Sequence, residues 1–188
     1  MAKINTRSGW DAYTQLMCPD PDARRDNLML ENLRLHHKYE CLADPRIFDT
    51  MVDEPEYRFY GSRGNPVLLG MQEVQAFYYA QWEARSSLVE LDVNHIAFAD
   101  WGAAAAGVMH QQVPVESLGQ RAAGDLEPAD WYLVETHLSW FFPSTEIDGE
   151  MRLGGEVCHI DGAGATVTPI APEDVLTMDE AILQFADT

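Results

Sequence analysis

Basic residues are scarce. The 188-residue chain has 12 Lys and Arg against 31 Asp and Glu, a formal net charge of −19 and a sequence pI near 4.4. A surface of that sign repels phosphate backbones and anionic headgroups, so nucleic acid and an anionic membrane are excluded as partners. Cysteine is scarcer still. Cys18, Cys41 and Cys158 are odd in number and lack C-x-x-C spacing, which argues against a disulfide framework and a thiolate metal site. No H-E-x-x-H or other close ligand spacing unites the six histidines, and no metal or other cofactor is expected. No run of 18 apolar residues could span a bilayer, and MAKINTRSGW has no apolar signal core, so a cytoplasmic protein is expected. Repeats and low-complexity tracts are missing as well. What remains is the composition of a globular chain, 46% apolar and 23% charged, long enough for one domain with a substantial core.

The stretch 131–161, WYLVETHLSWFFPSTEIDGEMRLGGEVCHID, organises the rest. Two strand-like runs, 131–142 and 151–161, flank Asp148-Gly149, the preferred pair for a tight type I′ turn. A two-residue loop there pairs Ile147 with Glu150, and an unbroken ladder then sets Glu156 opposite Phe141 and Cys158 opposite Ser139. Side chains alternate along a strand. One face then carries Glu135, His137, Ser139, Glu156 and Cys158; the other carries Val134, Leu138, Trp140 and Phe142 and reads as core. A bulge at Gly154-Gly155 would reverse the faces beyond it.

Before this hairpin the chain reads as helices first and strands afterwards. Residues 1–21 are polar and Pro-bearing, an N-terminal arm. An amphipathic helix follows over 22–43, and Asp44-Pro45 supplies an N-cap and a first-turn proline for a short second helix. Tyr57-Arg58-Phe59-Tyr60 reads as a strand, and 71–85 as a helix with Val74, Phe77, Tyr78 and Trp82 on one face. Two long strands, 88–99 and 103–115, meet around Asp100-Trp101-Gly102. Residues 116–130 form a loop insertion, and a C-terminal extension begins at 162. The expected fold is α+β, one domain over 22–188, with an antiparallel sheet and its helices on one face.

This order of elements resembles the NTF2-like superfamily, which includes SnoaL-like, ketosteroid isomerase-like and scytalone dehydratase-like proteins. The resemblance runs over about 22–161. It rests on the long first helix, the Ala43-Asp44 step, the strand ending at Tyr60, the helix led by Gly70, and two hairpins. The second hairpin has the Asp148-Gly149 turn and closes on His159-Ile160-Asp161. The resemblance implies a cone: a curved sheet wrapped on helices around an apolar pocket. It also places functional positions. The isomerase base falls at Tyr60, where the aspartate is missing, its oxyanion-hole tyrosine near His36, and its oxyanion-hole aspartate near Ser139. Glu135, His137 and His110 fall on pocket-lining positions. Tyr39 and Asp44 match the dehydratase Tyr-x4-Asp spacing, with His95 loosely at its histidine.

Candidate catalytic groups are therefore His137, Glu156 or His110 as base, with Tyr60 and Arg58 stabilising an oxyanion or acting as acid. Glu135, His95, Tyr39, Asp44, Trp140 and Phe141 are candidate substrate-binding residues. Each has a plainer role open to it: Asp44 a helix cap, Arg58 a solvated rim, the histidines hydrogen-bonded core or interface residues, Trp140 and Phe141 core. The expected function is a cofactor-independent lyase, dehydrating or cleaving a C–C bond by retro-aldol chemistry, on a small hydrophobic and aromatic molecule. A non-catalytic small-molecule binder, an isomerase or cyclase, and a dimerisation module with a filled cone are the alternatives. A one-sided antiparallel sheet leaves its other face to be covered, so a homo-oligomer, dimer or trimer, is expected. Light scattering at micromolar concentration and physiological salt should report at least a dimer, and a single monomeric species would contradict this.

Overall fold

The computed structural model describes residues 3–61, 64–118 and 126–188. In chain order the helices are α1 (Ser8–Leu16), α2 (Arg24–Cys41), α3 (Gly70–Glu83) and α4 (Met178–Gln184). The strands are β1 (Met51–Tyr60), β2 (Val67–Leu69), β3 (Val89–Ala99), β4 (Gly102–Pro114), β5 (Trp131–Ile147), β6 (Glu150–Ile160) and β7 (Thr166–Pro169). The sheet order is β2-β1-β6-β5-β4-β3, with β7 alongside β5. Among the described strands β1 and β6 run parallel, and the other pairings are antiparallel. The result is an α+β cone: a curved, unclosed sheet with helices packed inside it.

Local chemistry accounts for most boundaries. Asp44 caps the 3-10 turn Pro45–Thr50 by accepting from the Arg46 amide at 2.9 Å. Thr177 and Glu180 form a reciprocal capping box at the start of α4. Asp148 and Gly149 both have positive φ, 53° and 86°, as the tight turn requires, and Ile147 pairs with Glu150. Buried Leu30 and Leu33 of α2 and Val74 and Tyr78 of α3 pack against Leu138, Trp140 and Phe142 of β5. On β4, Ala103 and Ala105 lie directly opposite Phe142 and Trp140, so small residues make room for large rings.

Three parts differ from the sequence reading. The segment read as an arm contains α1, which buries Trp10 and Tyr13 at helical spacing and packs on α2 and β3. Its close approach uses Gly9, where a Cβ would lie 2.9 Å from the His37 ring. The extension from 162 supplies β7, which pairs with the first residues of β5, and α4, whose Ala181 packs with Ile4, Leu88 and Leu176. The start of the insertion is the 3-10 turn Val115–Ser117 followed by buried Leu118; its residues 119–125 lie outside the described residues.

The third difference is the ladder of the central hairpin. Ser144 pairs with Leu153, but the next pair is Phe141 with Val157. Two residues of β5 therefore face three of β6, a bulge of one residue at Gly154, Gly155 and Glu156. Gly155 has φ 137°, and a Cβ there would sit 1.8 Å from the Glu56 carbonyl oxygen on β1. No L side chain fits. Gly155→Ala should cost roughly 3 kcal/mol or prevent folding. Gly149→Ala, with nothing within 4 Å of its Cβ, should cost only about 1 kcal/mol for its positive φ. Urea unfolding of both variants checks the contrast, and equal losses would mean the bulge is not held by this contact.

Candidate functional site

The bulge decides which side chains enter the cone. Before it, Met151 and Leu153 point inward; after it, Glu156, Cys158 and Ile160 do. These face the same way as Leu138, Trp140 and Phe142 of β5, and together with residues of α1, α2 and α3 they enclose a cavity of about 360 Å³. That is at the small end of ligand pockets. Its wall is mostly apolar and aromatic, with Phe59, Phe77 and Tyr78 beside Trp140 and Phe142.

Two carboxyl groups face this space, Glu156 from β6 and Glu40 from the last turn of α2. Neither has a hydrogen-bond or ion-pair partner among the described residues. Burial pushes Glu156 up to about 7; burial first, and then the charge of Glu156, pushes Glu40 up to about 8. Their partial surface exposure is exposure to the cavity. Two carboxyls in one apolar chamber lose their protons in succession, and the steps belong to the pair rather than to either residue.

Beside them runs a directed polar chain. Thr50 Oγ1 donates to the Ile47 carbonyl, so it accepts from His36 Nδ1–H at 2.7 Å. His36 Nε2 then accepts from the Tyr78 hydroxyl at 3.0 Å, and Tyr78 accepts from Tyr57 at 3.3 Å. His37 Nε2–H donates to the Thr6 carbonyl at 2.7 Å. Burial lowers His36 to about 3 and His37 to about 4, so both rings are neutral at physiological pH. Tyr13 of α1 also faces the cavity; burial and the two nearby carboxylates raise its phenol.

Of the candidate catalytic and substrate-binding residues, Glu156 and Trp140 line the cavity, as do His36 and Cys158. Most of the others are on the far face of the sheet. With the bulge in place, Glu135, His137 and Phe141 lie on the opposite face of the sheet from Glu156, as do Arg58, Tyr60, His95 and His110. His137 and Tyr60 border a separate depression with His159, on which Tyr60 stacks at 4.9 Å. Arg58 pairs with Glu56. His110 bridges Asp92 at 3.1 Å and Glu135 at 3.5 Å, and His95 is exposed. Phe141 is exposed between Trp101 and His159. Tyr39 lies under the Arg46 guanidinium at 4.7 Å, and Asp44 is an N-cap ion-paired to Arg46. The expected cluster of Glu135, His137 and Glu156 is thus split by the sheet.

Glu40 was legible and missed. Leu33, His36, His37 and Glu40 follow the i, i+3, i+4, i+7 pattern of one helix face, and that face meets the cavity. Tyr13 carried no such signal, because α1 is fixed by contacts far away in sequence. Among the described residues no three His, Cys, Asp or Glu form a metal-holding group.

No family model matches the sequence, and no curated protein matches it. Solved structures do share its architecture. A SnoaL-like protein from Shewanella putrefaciens CN-32, assigned as a polyketide cyclase, superimposes with a TM-score of 0.56 at 12% identity, over 86% of this chain and 90% of that one. Another from Shewanella denitrificans OS-217, assigned likewise, gives 0.54 at 14% identity, over 71% and 90%. An NTF2-like protein from Anabaena variabilis ATCC 29413 gives 0.52 at 8% identity, over 77% and 94%. The chain has the NTF2-like fold.

The buried ionisable groups act on stability in opposite directions. The folded state keeps protons on Glu40 and Glu156 that the unfolded chain loses near pH 4.5, so their contribution falls as pH rises from about 4.5 to about 8. His36 and His37 stay neutral when folded but take protons near 6.5 when unfolded, so their contribution falls as pH drops from 6.5 toward 3–4. Glu40→Gln should raise stability at pH 8 by about 1–2 kcal/mol. That is less than the full shift, because water in the cavity solvates the carboxylate. At pH 5 it should change little. Thermal melts at the two pH values test this, and an equal effect at both would place the raised ionisation elsewhere.

Proposed function

We propose that this protein is an acid–base catalyst of the cyclase or isomerase type, moving a proton within a small, largely apolar molecule held in the cone. The observation that carries the reading is the pair Glu40 and Glu156, facing one cavity without a cationic partner among the described residues. At neutral pH such a pair retains a proton, so one member accepts a proton from carbon while the other donates to a developing oxyanion. The two carboxyls titrate as a pair, so either can stand as the base while the other holds the proton. The neutral His36–Tyr78 chain holds the wall beside them in place. The names of two structures with the same fold, SnoaL-like proteins assigned as polyketide cyclases, are in keeping with such chemistry. Dehydration and retro-aldol cleavage ask for the same two groups, so a lyase acting on an aromatic substrate is the finer form of this reading.

Proton transfer is measurable before the natural substrate is known. Exchange of the C–H protons beside the carbonyl of a bicyclic aryl ketone in D2O, followed by NMR, should be accelerated by the protein. Positioned acid–base groups contribute about 10²–10⁴-fold, so Glu156→Gln should lose acceleration of that order, and Glu40→Gln a comparable part. Exhaustive chelation should leave the rate unchanged. Wild-type acceleration in both Gln variants would remove the carboxyl pair from the chemistry.

A further inference from the structure

The cavity is unusually one-sided in what it offers a ligand. It has two carboxyl groups, and among the described residues none that line it is a Lys or Arg. Its histidines offer no positive charge: His36 spends both ring nitrogens on Thr50 and Tyr78, and His37 commits its N–H to Thr6. Gln81 Oε1 on the wall is buried with no hydrogen-bond partner. The Tyr13 side chain, 3% exposed, has no hydrogen-bond partner among the described residues. Its hydroxyl keeps lone pairs free. Acceptors dominate.

We propose that the ligand carries a basic amine: an organic cation with a flat apolar body, its ammonium held between Glu40 and Glu156. An ammonium has donors and no acceptor, which complements a wall of carboxylates, a free amide oxygen and a phenol. A phosphate, carboxylate or sulfonate would bring lone pairs against lone pairs and negative charge against negative charge. The rings of Trp140, Phe142, Phe59 and Phe77 supply the apolar bed, and aromatic faces attract cations. The net charge of −19 raises the local concentration of cations around the whole molecule. Binding would carry a proton signature. The pair retains a proton when the cavity holds only water; an ammonium favours ionisation of both members, and the released proton passes to solvent. The titratable groups around the pair are Tyr13 from α1, His36, His37 and Cys41 from α2, Tyr57 from β1, Tyr78 from α3 and Cys158 from β6; burial holds all seven in their neutral forms near pH 7. The exchangeable proton is therefore that of the glutamates.

This inference rests on the same carboxyl pair as the catalytic reading, but the two can fail separately. Aminoindane, indanol and indane carboxylic acid have one skeleton and differ in the polar group. Calorimetric titration at pH 7 in two buffers of different ionisation heat should show the amine bound at least about tenfold tighter than the alcohol, with net proton release. The acid should bind more weakly than either. Glu40→Gln and Glu156→Gln should each reduce the preference for amine over alcohol to less than about threefold while the alcohol still binds, so one variant suffices if the other does not fold. Alcohol or acid binding as tightly as amine, no binding of any of the three at millimolar concentration, or an undiminished preference in both variants would overturn the proposal. Amine selectivity without catalysed deuterium exchange would leave it standing and remove the catalytic reading; exchange without amine selectivity would do the reverse.

Discussion

The extra residue in β6 is the constraint on which the site depends. A strand alternates its faces with a period of two, so a single inserted residue exchanges inside for outside along everything beyond it. In β6 it lets Met151 and Leu153 cover the inner core at one end while Glu156 and Cys158 enter the cavity at the other. It also lets β6 satisfy two neighbours at once, the antiparallel β5 and the parallel β1. The close passage of Gly155 beneath the Glu56 carbonyl is where those two demands meet.

Placing carboxyl groups in such a chamber opposes folding, because each must shed water without gaining a counter-charge. The cone tolerates this by letting the pair retain a proton and by pairing many of its other polar groups with one another. Asn32 is buried and ties α2 to the sheet through the carbonyls of Thr50 and Met151. Thr50, His36 and Tyr78 saturate each other across the same gap. Asn32 Oδ1, Gln81 Oε1 and Trp82 Nε1 on the same helices are buried without a partner among the described residues, and the two glutamates are the carboxyl groups left uncommitted at the cavity.

Features set by neighbouring residues could be read directly from the sequence. The Asp148-Gly149 turn, the Asp44-Pro45 helix start, the face of α3 and the order of the strands all follow from local preference and period, and the fold class followed from them. What could not be read was which way the faces turn after Gly154. That depends on a parallel partner about 100 residues away in sequence, β1 against β6. That ambiguity separates Glu156 from Glu135 and His137; Tyr60, His95 and His110 rest instead on the resemblance, and the pairing of β1, β3 and β4 turns them outward. Glu156 survives because it lies beyond the bulge, while Glu135 and His137, on the unbulged strand, do not. The helical segment at the start was hidden for a related reason. Its turn of polar residues gains its place only from α2, β3 and the far end of the chain.

That far end gives the molecule an order of assembly. Arg7 pairs with Asp187, Lys3 with Glu180, and the Thr6 amide and hydroxyl both donate to Gln184. These contacts join residues almost the full length of the chain apart. On a ribosome residues 3–7 wait for residues 180–187 to emerge. Until α4 is free of the exit tunnel, the segment leading into α1 lacks this clasp, and the wall that carries Tyr13 is loosely anchored.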